Sequence, residues 1–188
     1  MVRMIAPLFA WALVASVPAL ASEYVPVSRF DAVGLRGGGT VTIVPGPVQR
    51  VTIVEGSSRF THIYVEHGQS LRIDACNSEC PQHYRLRVEI VTPRVPILAV
   101  DGGGAMTVAG GFAPEGHLTA AVNGGGSIDT RAVNAADVTA AVNGGGDLFV
   151  RASSSLTGAV RGGGSVRYWG NPAVTSAIDG GGSVRPGY

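Results

Sequence analysis

The side chains that could do chemistry are spread thinly along this chain. Four aspartates flank glycine triplets: Asp101 and Asp179 precede a triplet, and Asp129 and Asp147 follow one. General acid–base catalysis needs titratable groups positioned together, and the spacing of these residues assembles no such pair. Neither Ser153 nor the histidines occur in a G-x-S-x-G or H-E-x-x-H motif. We predict a protein that is not an enzyme, with a polysaccharide-acting β-helix enzyme as the least favoured alternative.

The residue pattern also disfavours metal and cofactor sites. The run Gly144–Asp147 resembles a calcium-binding glycine-rich nonapeptide, but that motif needs a carboxylate in every turn. The positions equivalent to Asp147 are instead Ala105, Ser127, Ser165 and Ser183. The triplets lie in neither a P-loop nor a dinucleotide fingerprint, and the chain contains no Lys. We predict no metal ion and no cofactor.

Cys76 and Cys80 are the only cysteines, and they lie in the polar run Cys-Asn-Ser-Glu-Cys-Pro. Residues 1–21 resemble a secretory signal peptide, and an even pair of cysteines in an exported chain is typical of a disulfide. The alternative is a metal pair completed by His83 or His67, but these residues lack the spacing of a zinc site. We therefore predict a Cys76–Cys80 disulfide that stiffens its loop more than it stabilises the whole fold.

A group of arginine and aromatic side chains is predicted to share one exposed face. The third and fifth positions after successive glycine triplets point outward, and they supply Arg131, Phe149, Arg151, Arg167 and Trp169. These residue types are enriched at recognition surfaces, and Arg can hold a carboxylate with two parallel hydrogen bonds. In the alternative interpretation, the arginines only pack their stems over the sheet and pair with Asp129.

Six Gly-Gly-Gly triplets are the elements that must position these side chains. They are 37–39, 102–104, 124–126, 144–146, 162–164 and 180–182, and from the second onward they are separated by 22, 20, 18 and 18 residues. A near-fixed period indicates one supersecondary unit stacked on its own copies. Apolar residues alternate on both sides of each triplet, which predicts two half-buried strands per repeat. Each triplet is then a corner between strands of a coil or, alternatively, the loop of a hairpin.

The repeats predict columns of equivalent residues. Val122 should stack with Val142, Val160 and Ile178, and a second column should contain Ile128, Leu148, Val166 and Val184. Asn123 and Asn143 should form an amide ladder that satisfies backbone groups at the corners. We predict an all-β fold, a right-handed β-helix or solenoid-like stack of repeats 18–22 residues long.

The remainder of the chain predicts a leader and one domain. Residues 1–21 have the basic start, apolar centre and Ala-Leu-Ala end of a cleaved signal peptide. Residues 22–188 then form a single domain, in which 24–100 are less regular strands sharing the core of the repeats in 101–188. Pro186 is expected to block the last strand edge, because proline donates no hydrogen bond.

The charge balance bears on the partner. Without Arg3 the chain carries thirteen Arg against thirteen Asp and Glu, a balance that gives no support for nucleic acid or anionic lipid as a partner. No stretch after the signal peptide is expected to span a membrane.

The order of several short motifs resembles a known family. They are Phe30-x-x-Val33, Gly37-Gly38-Gly39-x-Val41-x-Ile43, Val88–Pro93, Leu98-x-Val100-x-Gly102-Gly103-Gly104, the later triplets and Tyr168-x-Gly170-x-Pro172. Together they are similar to the autotransporter-adhesin "head GIN" domain family of exported bacterial proteins, over about residues 30–184. The resemblance implies a β-solenoid of the cell envelope with a role in adhesion, and it brings no catalytic residues.

These observations favour an exported, non-enzymatic, adhesin-like module that contacts a glycan or protein of the envelope or cell surface. The alternative is a structural or regulatory periplasmic protein whose arginine and aromatic face is only solvated surface.

Overall fold

The computed structural model describes residues 22–77 and 79–188, which form strands and turns but no helix. The predicted all-β class is therefore confirmed. Within the described part, nothing resembles an apolar helix long enough to cross a bilayer. The predicted signal peptide, residues 1–21, lies outside the described residues.

Sixteen strands follow one another along the described chain. The first eight are β1 (Glu23–Val25), β2 (Ala32–Gly37), β3 (Thr40–Pro45), β4 (Arg50–Glu55), β5 (His62–Glu66), β6 (Ser70–Asp74), β7 (Arg87–Thr92) and β8 (Ile97–Gly102). The others are β9 (Ala105–Val108), β10 (Glu115–Gly124), β11 (Ser127–Asp129), β12 (Ala135–Gly144), β13 (Asp147–Gly162), β14 (Ser165–Trp169), β15 (Ala173–Asp179) and β16 (Ser183–Pro186).

The strands form two sheets, which we call sheet A and sheet B. Sheet A has the order β1-β4-β7-β3-β9-β11-β13-β14-β16, and sheet B has the order β5-β6-β2-β8-β10-β12-β13-β15. The long strand β13 belongs to both, because its start pairs with β14 in sheet A and its end pairs with β15 in sheet B. Each glycine triplet leads from a strand of sheet B to a strand of sheet A. We call one such pair of strands a rung.

The glycine triplets are corners and not hairpin loops, because the flanking strands pair in parallel with equivalent strands of neighbouring rungs. Gly144 shows why the first position needs glycine. Its φ is 119°, and a Cβ built on it would lie 2.6 Å from the carbonyl oxygen of Gly124. The N–H of Gly145 donates to the same carbonyl at 2.9 Å. Glycine is therefore required there by both its backbone conformation and the close stacking of corners.

Apolar residues of successive rungs form continuous columns between the sheets, as predicted. The strand register confirms the columns Val122–Val142–Val160–Ile178 and Ile128–Leu148–Val166–Val184. The first three members of each column are at most 1% exposed, and burying such a side chain contributes roughly 1.5–3 kcal/mol. Ile178 is 47% exposed, because among the described residues no strand lies beyond β15.

Buried residues of the first half belong to the same cluster as those of the repeats, but the strands of this half are ordered differently in space and in sequence. The rung β6–β7 lies outside the rung β2–β3, and β8–β9 lies on the other side of β2–β3. In the outer rung, residues 75–86 replace the glycine triplet and carry the two cysteines. The rung β2–β3 therefore comes first in the sequence, although β6–β7 is the outer rung in space.

Antiparallel strands close this end of the molecule. In sheet A, β4 runs antiparallel to β7, and the three-residue strand β1 runs antiparallel to β4. In sheet B, β5 runs antiparallel to β6. The three-residue edge strand β1 gives another chain little to pair with. The opposite end consists of β15 and β16, which keep the parallel direction of the repeats.

Candidate binding surface

The arginine and aromatic side chains predicted to share one face do lie together, on the outer side of sheet A. The register places Phe149 beside Arg167 and Arg151 beside Trp169, and Arg131 follows β11 in the preceding rung. We call these five residues the Arg–aromatic patch. Their shared face follows from two features: outward residues recur at every second position along a strand, and the glycine corners keep the rungs in register.

Arg131 is held by a neighbouring carboxylate that belongs to the same surface. It donates from Nη2 to Oδ2 of Asp129 at 2.6 Å and from Nε to Oδ1 at 3.0 Å. The Arg131 backbone N–H also donates to Oδ1. Partial burial alone would raise the pKa of Asp129, but these hydrogen bonds and the guanidinium charge outweigh it, so the pKa lies below its ordinary value. Asp129 is therefore ionised at neutral pH.

Two aromatic rings flank the held guanidinium. The Cζ of Arg131 lies 5.1 Å from the ring centroid of Trp169 and 5.3 Å from that of Phe149, and the two rings are 6.4 Å apart. Arg167 approaches the Phe149 ring as well, at 5.9 Å. Distances under about 6 Å are within cation–π range. The patch is therefore preorganised by its own contacts.

Arg151 and Arg167 differ in how far their guanidinium groups are occupied. Within residues 22–77 and 79–188, Arg151 uses only its Nε for a hydrogen bond, donating to the carbonyl oxygen of Arg131 at 3.0 Å, and the residue is exposed. The Nε of Arg167 is buried without a hydrogen-bond partner among the described residues. Arg151 is therefore the cation of the patch that is most available to a ligand.

A shallow depression of about 400 Å³ lies against the patch. Arg151, Trp169, Arg131 and Asp129 line it, together with Thr107 and Ala132. Its walls combine an indole ring, a free cation and a bound carboxylate. That arrangement suits a small group that is flat on one side and carries hydrogen-bond acceptors on the other. Sequence reasoning gave Asp129 only as a pairing partner, and its place in the wall follows from the register Asp129↔Phe149.

A larger groove, of about 880 Å³, was not predicted from the sequence. It lies among the segments that lead into β2, β4, β8 and β10, and its walls include Pro47, Val48, Pro93, Pro96 and Ile97. Val48 and Ile97 are 70% and 53% exposed. Prolines and isolated apolar residues in separate turns carry no period, so the spacing of repeats could not bring them together in advance.

The two cysteines form the predicted disulfide, which fits an oxidising compartment. In the described part of the chain, no three His, Cys, Asp or Glu side chains converge on a point that could hold a metal ion. The histidines lie apart from the patch; His117 faces Asp137 with its Nδ1 3.6 Å from Oδ2.

The predicted amide ladder exists, but its hydrogen bonds join side chains to side chains. Asn143 donates to the Oδ1 of Asn123 at 3.0 Å, and Asn123 donates to the Oδ1 of Asp101 at 2.8 Å. The prediction that the ladder satisfies corner backbone groups is wrong, because those groups bond to each other between rungs. The ladder ties side chains along the corner and leaves the Arg–aromatic patch untouched.

Residues 97–172 match the model of a family described as "Putative auto-transporter adhesin, head GIN domain". The resemblance drawn from the sequence motifs is thus confirmed, over a shorter span than the predicted 30–184. The matched head GIN segment contains the regular rungs β8 to β14 and all five residues of the Arg–aromatic patch.

No curated protein matches the chain. Among solved structures, a putative adhesin of Bacteroides fragilis is 17% identical with a TM-score of 0.46, and the match covers 90% of this chain and 98% of that one. A putative lipid binding protein of Parabacteroides distasonis is 15% identical with a TM-score of 0.36, covering 89% and 96%. A putative adhesin of Parabacteroides merdae is 15% identical with a TM-score of 0.38, covering 91% and 97%. Similarity at these levels transfers no ligand to this chain.

Proposed function

We propose that this protein is an exported, non-enzymatic, adhesin-like module that binds an acidic glycan of the envelope or cell surface through the Arg–aromatic patch. In this proposal, residues 1–21 are removed on export and residues 22–188 fold as one right-handed β-solenoid. In-register parallel pairing between rungs supports the solenoid, the head GIN match supports the adhesin-like role, and the disulfide supports export.

The observation that carries the ligand class is Arg151 exposed beside the ring of Trp169. A pyranose ring places its apolar face on an indole, and a uronic acid carboxylate or a sulfate accepts hydrogen bonds from a guanidinium. Asp129 is already paired with Arg131, so it repels such a ligand less than a free carboxylate would. The cations Arg151 and Arg167 therefore favour an anionic sugar over a neutral one.

Trp169 provides a direct test. The chain has two tryptophans, Trp11 and Trp169, and only Trp169 lies in residues 22–188. Intrinsic fluorescence of this fragment therefore reports on the patch without a label. We expect titration with uronic acid and sulfated oligosaccharides to shift the emission of Trp169, and a matched neutral oligosaccharide to leave it unchanged.

Two variants test the proposal, one changed on the Arg–aromatic patch and one changed on the outer side of sheet B. Changing Phe149, Arg151 and Trp169 together to Ala should raise the Kd for the glycan at least tenfold, because an aromatic anchor and a cation are lost. Binding on a glycan array should then disappear. The control is Thr139→Ala with Arg161→Ala on the outer side of sheet B, which should bind like the unchanged chain. Undiminished binding by a folded triple variant would falsify the assignment, and binding of a protein ligand alone would reject the glycan.

The second candidate is a structural or regulatory periplasmic protein, and one observation favours it. Arg131 is saturated by Asp129 and by two aromatic rings, as expected if the patch only packs its own surface. Cell fractionation separates the candidates: protein confined to the periplasm supports the second, and protein exposed to protease on intact cells supports the first.

A further inference from the structure

The strands at the end of the last rung each lack a neighbour on one side. In the described residues, β15 pairs only with β13 and β16 pairs only with β14. The core-facing side chains of β15 are correspondingly open: Val174 is 40% exposed and Ile178 is 47% exposed. Their equivalents one rung inward, Leu156 and Val160, are fully buried. An apolar core cut across in this way is a surface that another pair of strands can cover.

Pro186 was predicted to block the last strand edge, but it lies only at the end of β16. Pro186 is the last residue of β16 and pairs with Tyr168, and β15 contains no proline over Ala173–Asp179. Most of both edge strands therefore keeps free backbone donors and acceptors on the outer side.

The closed opposite end restricts what can add here. Head-to-tail stacking would place β15 and β16 against β5 and β1 of the next copy, but β5 runs antiparallel to the repeats and β1 has only three residues, so these edge strands do not continue the parallel pattern over a full rung. A molecule with one open end can instead pair that end with the same end of a second copy, which gives a closed two-fold dimer.

The sequence of the open edge is self-complementary in that arrangement. If β15 pairs antiparallel with β15 of a second copy about Ser176, then Val174 faces Ile178 of the second copy and both remain on the core side. Gly158 is the register partner of Ser176. A Cβ atom built on Gly158 would lie 3.1 Å from the side chain of Val184. Val184 thus lies across the core from Ser176, so the same two-fold axis pairs β16 with its copy about Val184.

The charges agree with this register. Asp179 would face Ala173 of the second copy, and Arg185 would face Ser183 of the second copy, so no like charges oppose each other. We propose that the protein forms a tail-to-tail dimer in which β15 and β16 of one copy continue both sheets into the other. In this dimer the two Arg–aromatic patches lie on one continuous sheet surface, and two patches on one particle increase avidity for a polymeric ligand.

Single cysteines test the two-fold register. Residues that face their own copies across antiparallel strands have Cα atoms about 4.5–5.5 Å apart, within the range of a disulfide. We therefore expect Ser176→Cys and, separately, Val184→Cys to give a covalent dimer as the main species under mild oxidation of residues 22–188. Thr157→Cys, one strand inward on the outer side of sheet B, should stay monomeric on the same non-reducing gel.

Sedimentation analysis measures the equilibrium without a cross-link. Ile178→Asp places a charge on the open end, where the monomer tolerates it, and should weaken dimerisation at least tenfold in Kd. Thr139→Asp, an equally charged change away from the edge, should leave Kd unchanged. A chain that stays monomeric at all concentrations, or cross-linking by Thr157→Cys and not by Ser176→Cys, overturns the proposal. Glycan binding by a monomeric chain would leave the proposed function standing.

Discussion

At one end of the molecule, β4 and β5 run antiparallel to the strands they cover; at the other, β15 and β16 keep the parallel direction of the repeats. The closed end also carries side-chain hydrogen bonds around Tyr84 and a disulfide, whereas the open end leaves Val174 and Ile178 partly in water. The rungs between the ends share one glycine corner and in-register parallel pairing. Local repeat chemistry therefore builds the stack, and a separate, non-repeating segment is needed to finish it.

The largest expected effect comes from cutting the same number of carbons from the middle and from the open end. Leu148→Ala and Ile178→Ala each remove three carbons, but Leu148 is fully buried and Ile178 is 47% exposed. We expect Leu148→Ala to lower the free energy of unfolding by about 2–5 kcal/mol and Ile178→Ala by about 1 kcal/mol or less. Urea denaturation at low protein concentration measures both. Equal losses would mean that the end is not open.

The next effect separates two adjacent glycines of one corner. Gly144 has a φ of 119° and lies against the backbone of the corner below, whereas a Cβ on Gly145 would meet nothing within 4 Å. We expect Gly144→Ala to cost at least about 2 kcal/mol, through left-handed backbone strain and the clash. Gly145→Ala should stay within about 0.5 kcal/mol of the unchanged chain. Similar urea midpoints for the two variants would remove the stacked-corner explanation.

The repeats are the part of the fold that the sequence could predict. A period that recurs with aliphatic residues at fixed offsets dictates register, so the columns and the Arg–aromatic patch followed from counting from each triplet. The position of the rung β6–β7 could not be predicted, because its corner has no glycine triplet and its pairing depends on contacts distant in sequence. The groove at Val48 and the short strand β1 were missed for the same reason.

The patch itself was only partly predictable. The register indicated that Phe149 and Arg167 are neighbours, but it did not give the rotamer that carries Arg131 over the ring of Trp169. That contact depends on the turn after β11, where Arg131 bends back to Asp129. Outward position is set by strand alternation, whereas side-chain partners depend on local turns.

An intermediate loss of stability is expected at the closed end. The Tyr84 hydroxyl donates to the carbonyl oxygen of Ser57 at 3.0 Å, accepts from the N–H of Ser57 at 2.9 Å, and lies 2.6 Å from Oγ1 of Thr61. Tyr84→Phe leaves the Ser57 N–H without a partner and removes one hydrogen bond each from the Ser57 carbonyl and the Thr61 hydroxyl, which keep others. We therefore expect a loss of about 1–3 kcal/mol in urea denaturation.

The matched control for the closed end is Tyr64→Phe in β5, which removes a hydroxyl without disturbing this network. It should change the free energy of unfolding by less than about 0.5 kcal/mol. If Tyr84→Phe is equally silent, the side-chain network does not contribute to closing this end, and the antiparallel strands alone do.

The smallest effect is a pH dependence confined to the patch. The hydrogen bonds from Arg131 outweigh burial and hold the pKa of Asp129 below its ordinary value, so the folded state binds this proton less readily than the unfolded state. The ion pair therefore contributes at pH values above the ordinary Asp pKa of about 3.9, and its contribution is lost as the pH falls through the lower folded pKa. Because both side chains are partly exposed, we expect the ion pair to contribute less than about 1 kcal/mol to the free energy of unfolding.

Trp169 emission in residues 22–188 should stay constant from pH 7 to about 5 and change below about 4, as the released Arg131 leaves the indole. Asp129→Asn should have the altered emission already at pH 7 and lose the transition. If that variant keeps the same acid transition, a group other than Asp129 controls the position of Arg131.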